Sequence, residues 1–183
     1  MSKLSPDSIQ QDQMWMQFAL AEAETAIYRT RPNPAVGCVI VKDHQIVGRG
    51  ATAPVGGSHA EVFALKQAGD QAHGATAYVT LEPCAHYGRT PPCANGLVEA
   101  GITRVVIACS DPNPLVAGKG VQILENAGIE VVQGVCEAQA AAQNRGFLKA
   151  IATGMPYVRL KVASSLDGRT AMASGESKWI TGT

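Results

Sequence analysis

The chain has 183 residues, of which 46% are apolar and 16% charged. That balance excludes an intrinsically disordered chain, and at about 150 residues per domain the length allows one full core plus a remainder. Fifteen Lys and Arg against fifteen Asp and Glu leave no net charge, which excludes a strong field for gripping a nucleic-acid backbone or an anionic membrane.

The polar stretch Met1 to Gln13 carries no signal-peptide pattern, and no window approaches the roughly 18 apolar residues of a membrane span, so a cytoplasmic protein is expected. From about Ser8 to Arg29, Met14, Phe18, Ala21, Thr25 and Tyr28 recur at helical spacing and predict an amphipathic helix, with Trp15 and Phe18 read as core. Arg31-Pro32-Asn33-Pro34 must end it, because each proline turns its predecessor away from the helical region. Val36–Val41 and Gln45–Gly50, around Lys42-Asp43-His44, predict a β-hairpin. There follow a helix from His59 to Ala68, a strand from Ala75 to Leu81, a helix from Cys93 to Ala100 and a strand from Thr103 to Cys109. A helix from Gly118 to Asn126, a strand from Ile129 to Gln133 and an alanine-rich helix from Glu137 to Thr153 complete the alternation. Strands alternating with helices predict a sheet covered on both faces, parallel in its later part and made mixed by the hairpin. Tyr157 to Ala163 reads as a last strand that begins something new.

Five cysteines are an odd number for a disulfide framework. Cys38 and Cys109 sit in apolar strand-like runs and read as small buried hydrophobes, and Cys136 follows a strand without distinction. Cys84 and Cys93 differ, because they lie in a polar, proline-rich segment where packing does not explain them. With His59 they form a set of one imidazole and two thiolates at helix or turn starts, a donor set suited to Zn²⁺. The positive end of a helix dipole favours the ionised thiol. Three protein ligands leave a fourth position for water, as in catalytic rather than structural zinc sites. Glu61 lies too close to His59 along the chain to reach the same metal easily, but it can reach that water and move protons. His44 and His73 read as solvated surface residues.

His59-Ala60-Glu61 followed by Pro83-Cys84 resembles the H-x-E…P-C-x-x-C signature of zinc nucleobase deaminases, with eight residues between the cysteines in place of two. Glu82 to Cys93 (EPCAHYGRTPPC), Pro32-Asn33-Pro34-Ala35-Val36-Gly37, Asp111-Pro112-Asn113-Pro114, Val116 to Gly120 and Leu166 to Ala171 together resemble the bifunctional riboflavin-biosynthesis deaminase/reductase family over almost the whole chain. Ala85, where that family usually has Ser, is the one local departure.

The resemblance implies a three-layer α/β/α cytidine-deaminase-like fold with a mixed central sheet of about five strands. It implies a deaminase domain over residues 1–154 and the start of a reductase domain over 155–183. The implied reaction is hydrolytic deamination of 2,5-diamino-6-ribosylamino-4(3H)-pyrimidinone 5′-phosphate to 5-amino-6-(5-phosphoribosylamino)uracil and ammonia. His59, Cys84 and Cys93 are then expected to hold Zn²⁺, with Glu61 as proton shuttle and Asn33 against the pyrimidine. His86, Arg89 and Lys119 are candidates for the ribose phosphate, and Gly118-Lys119-Gly120 resembles a phosphate loop. Ala163 and Trp179 match positions that contact NADPH in the reductase half, and Ser177 one that contacts its substrate. The 29 residues from Met155 to Thr183 are too few for a core, so no reductase turnover and little NADPH affinity are expected of this chain, which reads as a truncated form. A homo-oligomer acting on a small molecule, with no nucleic acid or membrane partner, is the expected state. Two other classes share features of the site: a zinc deaminase acting on tRNA or a free nucleoside, and a non-catalytic zinc module with His86 as nearest fourth ligand. Zero charge and the ligand spacing weigh against the former, and Glu61 has no role in the latter.

Overall fold

The computed structural model describes residues 6–85, 92–113 and 117–177. Helix α1 (Pro6–Ala26) starts on a proline, which suits the first helical position because the missing N–H has no partner there. Its inner face is Asp12, Trp15, Met16, Ala19, Leu20, Ala23 and Ala26. The stripe expected from the sequence is the other one: Met14 and Phe18 are each 46% exposed, and Tyr28 lies beyond the helix end. Both stripes repeat at helical spacing, so periodicity does not choose between them. Closeness of approach does. A Cβ on Gly37 of the first strand would stand 1.9 Å from the Ala19 carbonyl oxygen, and an alanine-rich face is what lets α1 lie so near the sheet. Trp15 is core as expected, whereas Phe18 lies against it from outside, the ring centroids 5.7 Å apart.

Strands β1 (Gly37–Lys42) and β2 (Gln45–Ala51) form the expected hairpin. Its two turn residues, Asp43 and His44, both have positive φ, the geometry whose twist matches paired strands. Helix α2 (Ala60–Ala68) lies on β2, and glycines make the contact possible. A Cβ on Gly48 would be 2.1 Å from the Ala64 oxygen, and one on Gly50 2.4 Å from that of Ala60. Strands β3 (Thr76–Leu81), β4 (Arg104–Cys109) and β5 (Glu130–Gln133) complete a five-stranded sheet in the order β2-β1-β3-β4-β5. β1 is antiparallel to both neighbours, and β3, β4 and β5 run parallel. Helices α3 (Cys93–Glu99) and α4 (Lys119–Asn126) provide the parallel crossovers. α2, α3 and α4 touch in series, and α1 touches α5 (Glu137–Gln143), which gives helices on both sides of the sheet. The burial of β1, β3 and β4 along almost their full length follows from that cover.

The long alanine-rich helix expected over 137–153 is two helices, α5 and α6 (Arg145–Thr153), broken at Asn144. The buried Asn144 amide accepts from the Ala35 N–H and donates to the Ala35 carbonyl, both at 2.8 Å, so it acts as a short strand partner for the chain entering β1. The expected strand over 157–163 is absent: those residues pair with no strand among the described residues and are exposed. An extended segment without a ladder partner leaves its backbone groups to water.

Candidate metal centre and active site

Three chain turns bring the site together. His59 precedes the first turn of α2 in an extended conformation and caps nothing with its side chain, so its imidazole is free to face inward. β3 ends at Leu81, and Glu82 and Pro83 lead from it to Cys84. Cys93 is the first residue of α3. His59 Nδ1 lies 3.2 Å from Cys93 Sγ and 3.5 Å from Cys84 Sγ, and the three donor atoms all fall within 4.8 Å of one another. Tetrahedral zinc with ordinary Zn–N and Zn–S bonds needs nitrogen and sulfur about 3.6 Å apart, so this set fits the ion. It is the one such cluster among the described residues.

Electrostatics agree with the donor chemistry. The Cys93 thiol donates to Cys84, and His59 adds a second hydrogen bond, which together hold the Cys84 thiol well below its ordinary range. That same donated proton, with burial, pushes the Cys93 thiol far up. His59 is raised, first by its bond to Cys84. The Cys93 backbone N–H also donates to Cys84 Sγ at 3.3 Å. A metal that takes both sulfurs as thiolates displaces the proton they share. Glu61, in the first turn of α2, is buried, and desolvation lifts its carboxyl to about 6.

The other sequence candidates spread out. Asn33 is exposed between two prolines, in a turn closed by its own N–H to the Thr30 carbonyl at 2.8 Å. It lines a cleft of about 1070 Å³ with Tyr28, Arg31, Asn144, Arg145 and Arg159, and none of His59, Glu61, Cys84 or Cys93 shares that lining. Lys119 is exposed at the start of α4. The phosphate-loop expectation for Gly118-Lys119-Gly120 meets a competitor. The backbone N–H groups of Gly118 and Gly120 both donate to the buried Glu82 carboxylate, at 3.1 Å each. Ala163 and Ser177 are exposed in the segment after α6, while His86, Arg89 and Trp179 lie outside the described residues. Glu82 and Asn144 were not singled out from the sequence. A carboxylate at the end of an apolar strand was the available signal for the first.

The cytidine and deoxycytidylate deaminase zinc-binding region matches residues 9–109, a span that contains all three donor residues and Glu61. The chain belongs to that deaminase family. A second profile, the RibD C-terminal domain, matches residues 156–183. The chain is 62% identical over 172 residues to the riboflavin biosynthesis protein RibD of Haemophilus influenzae, covering 94% of this chain and 46% of that protein. The structure of Acinetobacter baumannii RibD (form 2) superposes with a TM-score of 0.89 at 71% identity, over 96% of this chain and 49% of that one. A Thermotoga maritima diaminohydroxyphosphoribosylaminopyrimidine deaminase/5-amino-6-(5-phosphoribosylamino)uracil reductase does so with 0.91 at 42% identity, over 96% and 51%. The chain thus spans about half the length of the relatives it matches. Its likeness within the family is to the RibD type, with the same α/β fold.

Proposed function

We propose that this chain carries the deaminase activity of a RibD-type protein. In that reaction 2,5-diamino-6-ribosylamino-4(3H)-pyrimidinone 5′-phosphate and water give 5-amino-6-(5-phosphoribosylamino)uracil and ammonia. The observation that carries the reading is a buried glutamate beside an imidazole and two thiols at zinc-ligand separations. His59, Cys84 and Cys93 would hold the zinc. When bound, zinc lowers the pKa of a water toward neutrality and so supplies a nucleophile at cellular pH.

Glu61 does the proton work. As carboxylate it accepts a proton from the attacking water and passes one to a ring nitrogen, which makes the amino-bearing carbon electrophilic. It then takes the second proton from the hydroxyl of the adduct and gives it to the departing amine, so the C–N bond breaks as the C=O bond forms and ammonia leaves. A carboxyl lifted to about 6 suits both directions of transfer near neutral pH. Asn33 is assigned to the pyrimidine, and His86, Arg89 and Lys119 to the ribose phosphate. Residues 1–154 form the deaminase domain. Residues 155–183 begin the reductase domain, where Ala163 and Trp179 would face NADPH and Ser177 the reductase substrate. Self-association is supported by the apolar stripe that α1 leaves outward at Met14 and Phe18, and is checked by light scattering.

The deciding experiment is incubation with the diaminopyrimidine phosphate, with and without NADPH, followed by product analysis. Ammonia release that does not require NADPH is expected. Glu61→Ala should keep zinc and fold while losing at least about 100-fold in rate; full ammonia release by that variant would remove the mechanism.

A further inference from the structure

Glu82 is a buried carboxylate that the reaction does not use. It stands at the end of β3, two positions before Cys84, and its own N–H continues the ladder to the Cys109 carbonyl at 2.9 Å. Oε1 accepts from the Gly120 N–H at 3.1 Å, and Oε2 from Gly118 at 3.1 Å and, more weakly, from Asp111 at 3.5 Å. The N-terminal end of α4 is thereby clasped to the strand end that delivers the cysteine. A carboxylate suits that place because the first amides of a helix are unpaired within it and carry partial positive charge.

Gly120 makes the clasp close. A Cβ there would stand 2.0 Å from the Pro83 carbonyl oxygen, the oxygen of the peptide that leads into Cys84. On its other side Cys84 is held by α3: the Cys93 N–H donates to its sulfur, and the Ala94 N–H to its carbonyl at 3.2 Å. The Pro83–Cys84 turn is therefore gripped between the starts of two helices. Without Glu82, the α4 side of that grip loses its charge-assisted bonds, and three backbone donors lose their acceptor.

We propose that Glu82 is a positioning residue for the metal centre. Its carboxylate, through the amides of Gly118 and Gly120, sets the place of the Cys84 thiolate and so the affinity for zinc. The inference rests on His59, Cys84 and Cys93 being the zinc ligands. Groups that orient metal ligands in this indirect way commonly contribute about 10- to 100-fold to affinity.

The test is zinc affinity of the full chain, measured by competition with a chromophoric chelator, together with the thiolate-to-metal absorption bands after Co²⁺ loading. Glu82→Gln, still folded by circular dichroism, should bind zinc about 10- to 100-fold more weakly and show shifted Co²⁺ bands. Gly120→Ala should move both in the same direction. Asp12→Asn, which removes a buried charge on α1 beside Arg104 at the other end of β4 from the site, should lower stability and leave both readouts unchanged. A folded Glu82→Gln with wild-type affinity and bands overturns the inference. If that variant does not fold, Glu82→Asp, which keeps the charge and shortens the reach, decides by the same criterion. A wild-type chain that takes up no stoichiometric zinc overturns the ligand assignment instead, which keeps the two failures apart.

Discussion

Glu61 is 4% exposed, and burial, as the largest cause, lifts its carboxyl from 4.5 to about 6 against the hydrogen bonds that favour its ionised form. The folded, metal-free chain therefore holds that proton more tightly than the unfolded chain does. The contribution is fully present below pH 4.5 and is lost as the pH rises through 6, so ionised Glu61 costs the metal-free fold about 2 kcal/mol at pH 7. Glu61→Gln should remove that dependence. Urea unfolding of the metal-free proteins is expected to show the Gln variant gaining on the wild type between pH 4.5 and pH 7; parallel curves would show that the carboxyl is not desolvated. The His-x-Glu spacing was legible in the sequence, but the burial that shifts this carboxyl was not, because its neighbours, Cys38, Cys84 and Cys93 among them, come from separate stretches of the chain.

At the scale of elements, α1 is tied to the sheet by charge as well as by its alanine face. Arg104 on β4 donates to both oxygens of the buried Asp12, at 2.7 and 2.8 Å, and the Tyr78 hydroxyl on β3 adds a third bond at 3.0 Å. Glu130 on β5 takes the remaining Arg104 Nε at 3.1 Å. Asp12 lies on the inner face with Trp15, Met16 and Ala19, away from the outward stripe of Met14 and Phe18. The partly buried Arg104 guanidinium explains that placement, because the ion pair and the small inner residues seat α1 together. Asp12→Asn leaves Arg104 without its principal counter-charge and should cost about 3 kcal/mol, read as a lowered urea midpoint with unchanged slope. Asn144 makes the same point for α5 and α6. Helical periodicity ran unbroken through 137–153, and only the unpaired backbone of Ala35 explains why the chain breaks there to supply an amide.

For the whole molecule, the described core is made by the sheet and the helices on its two faces, and the three metal donors sit at its edge, where strand and helix ends meet. None of the three donors belongs to the apolar core cluster. Zinc removal by a chelator is therefore expected to lower the melting temperature while leaving the far-UV circular dichroism native. At zinc 100-fold above its Kd the difference amounts to about 2.7 kcal/mol. Loss of the native spectrum on chelation would instead mark the metal as a folding nucleus. The segment after α6, matched by the RibD C-terminal domain from residue 156, adds no buried residue to this core among the described residues.

The five strands of the sheet, the hairpin turn and the helix starts that carry His59, Glu61 and Cys93 followed from the sequence by itself, because turn chemistry and periodicity act over a few neighbouring residues. The donor set followed too, since two cysteines in a polar, proline-rich segment have no packing reason to be there. Tertiary structure decided which stripe of α1 is buried, where the last helix breaks, and that 157–163 has no strand to pair with. It also decided that the amides of Gly118 and Gly120 are spent on Glu82 rather than left open for a phosphate. Each of these turns on a partner brought from a distant part of the chain, through a close backbone approach, a buried charge or an unpaired amide, and local sequence pattern does not encode such partners.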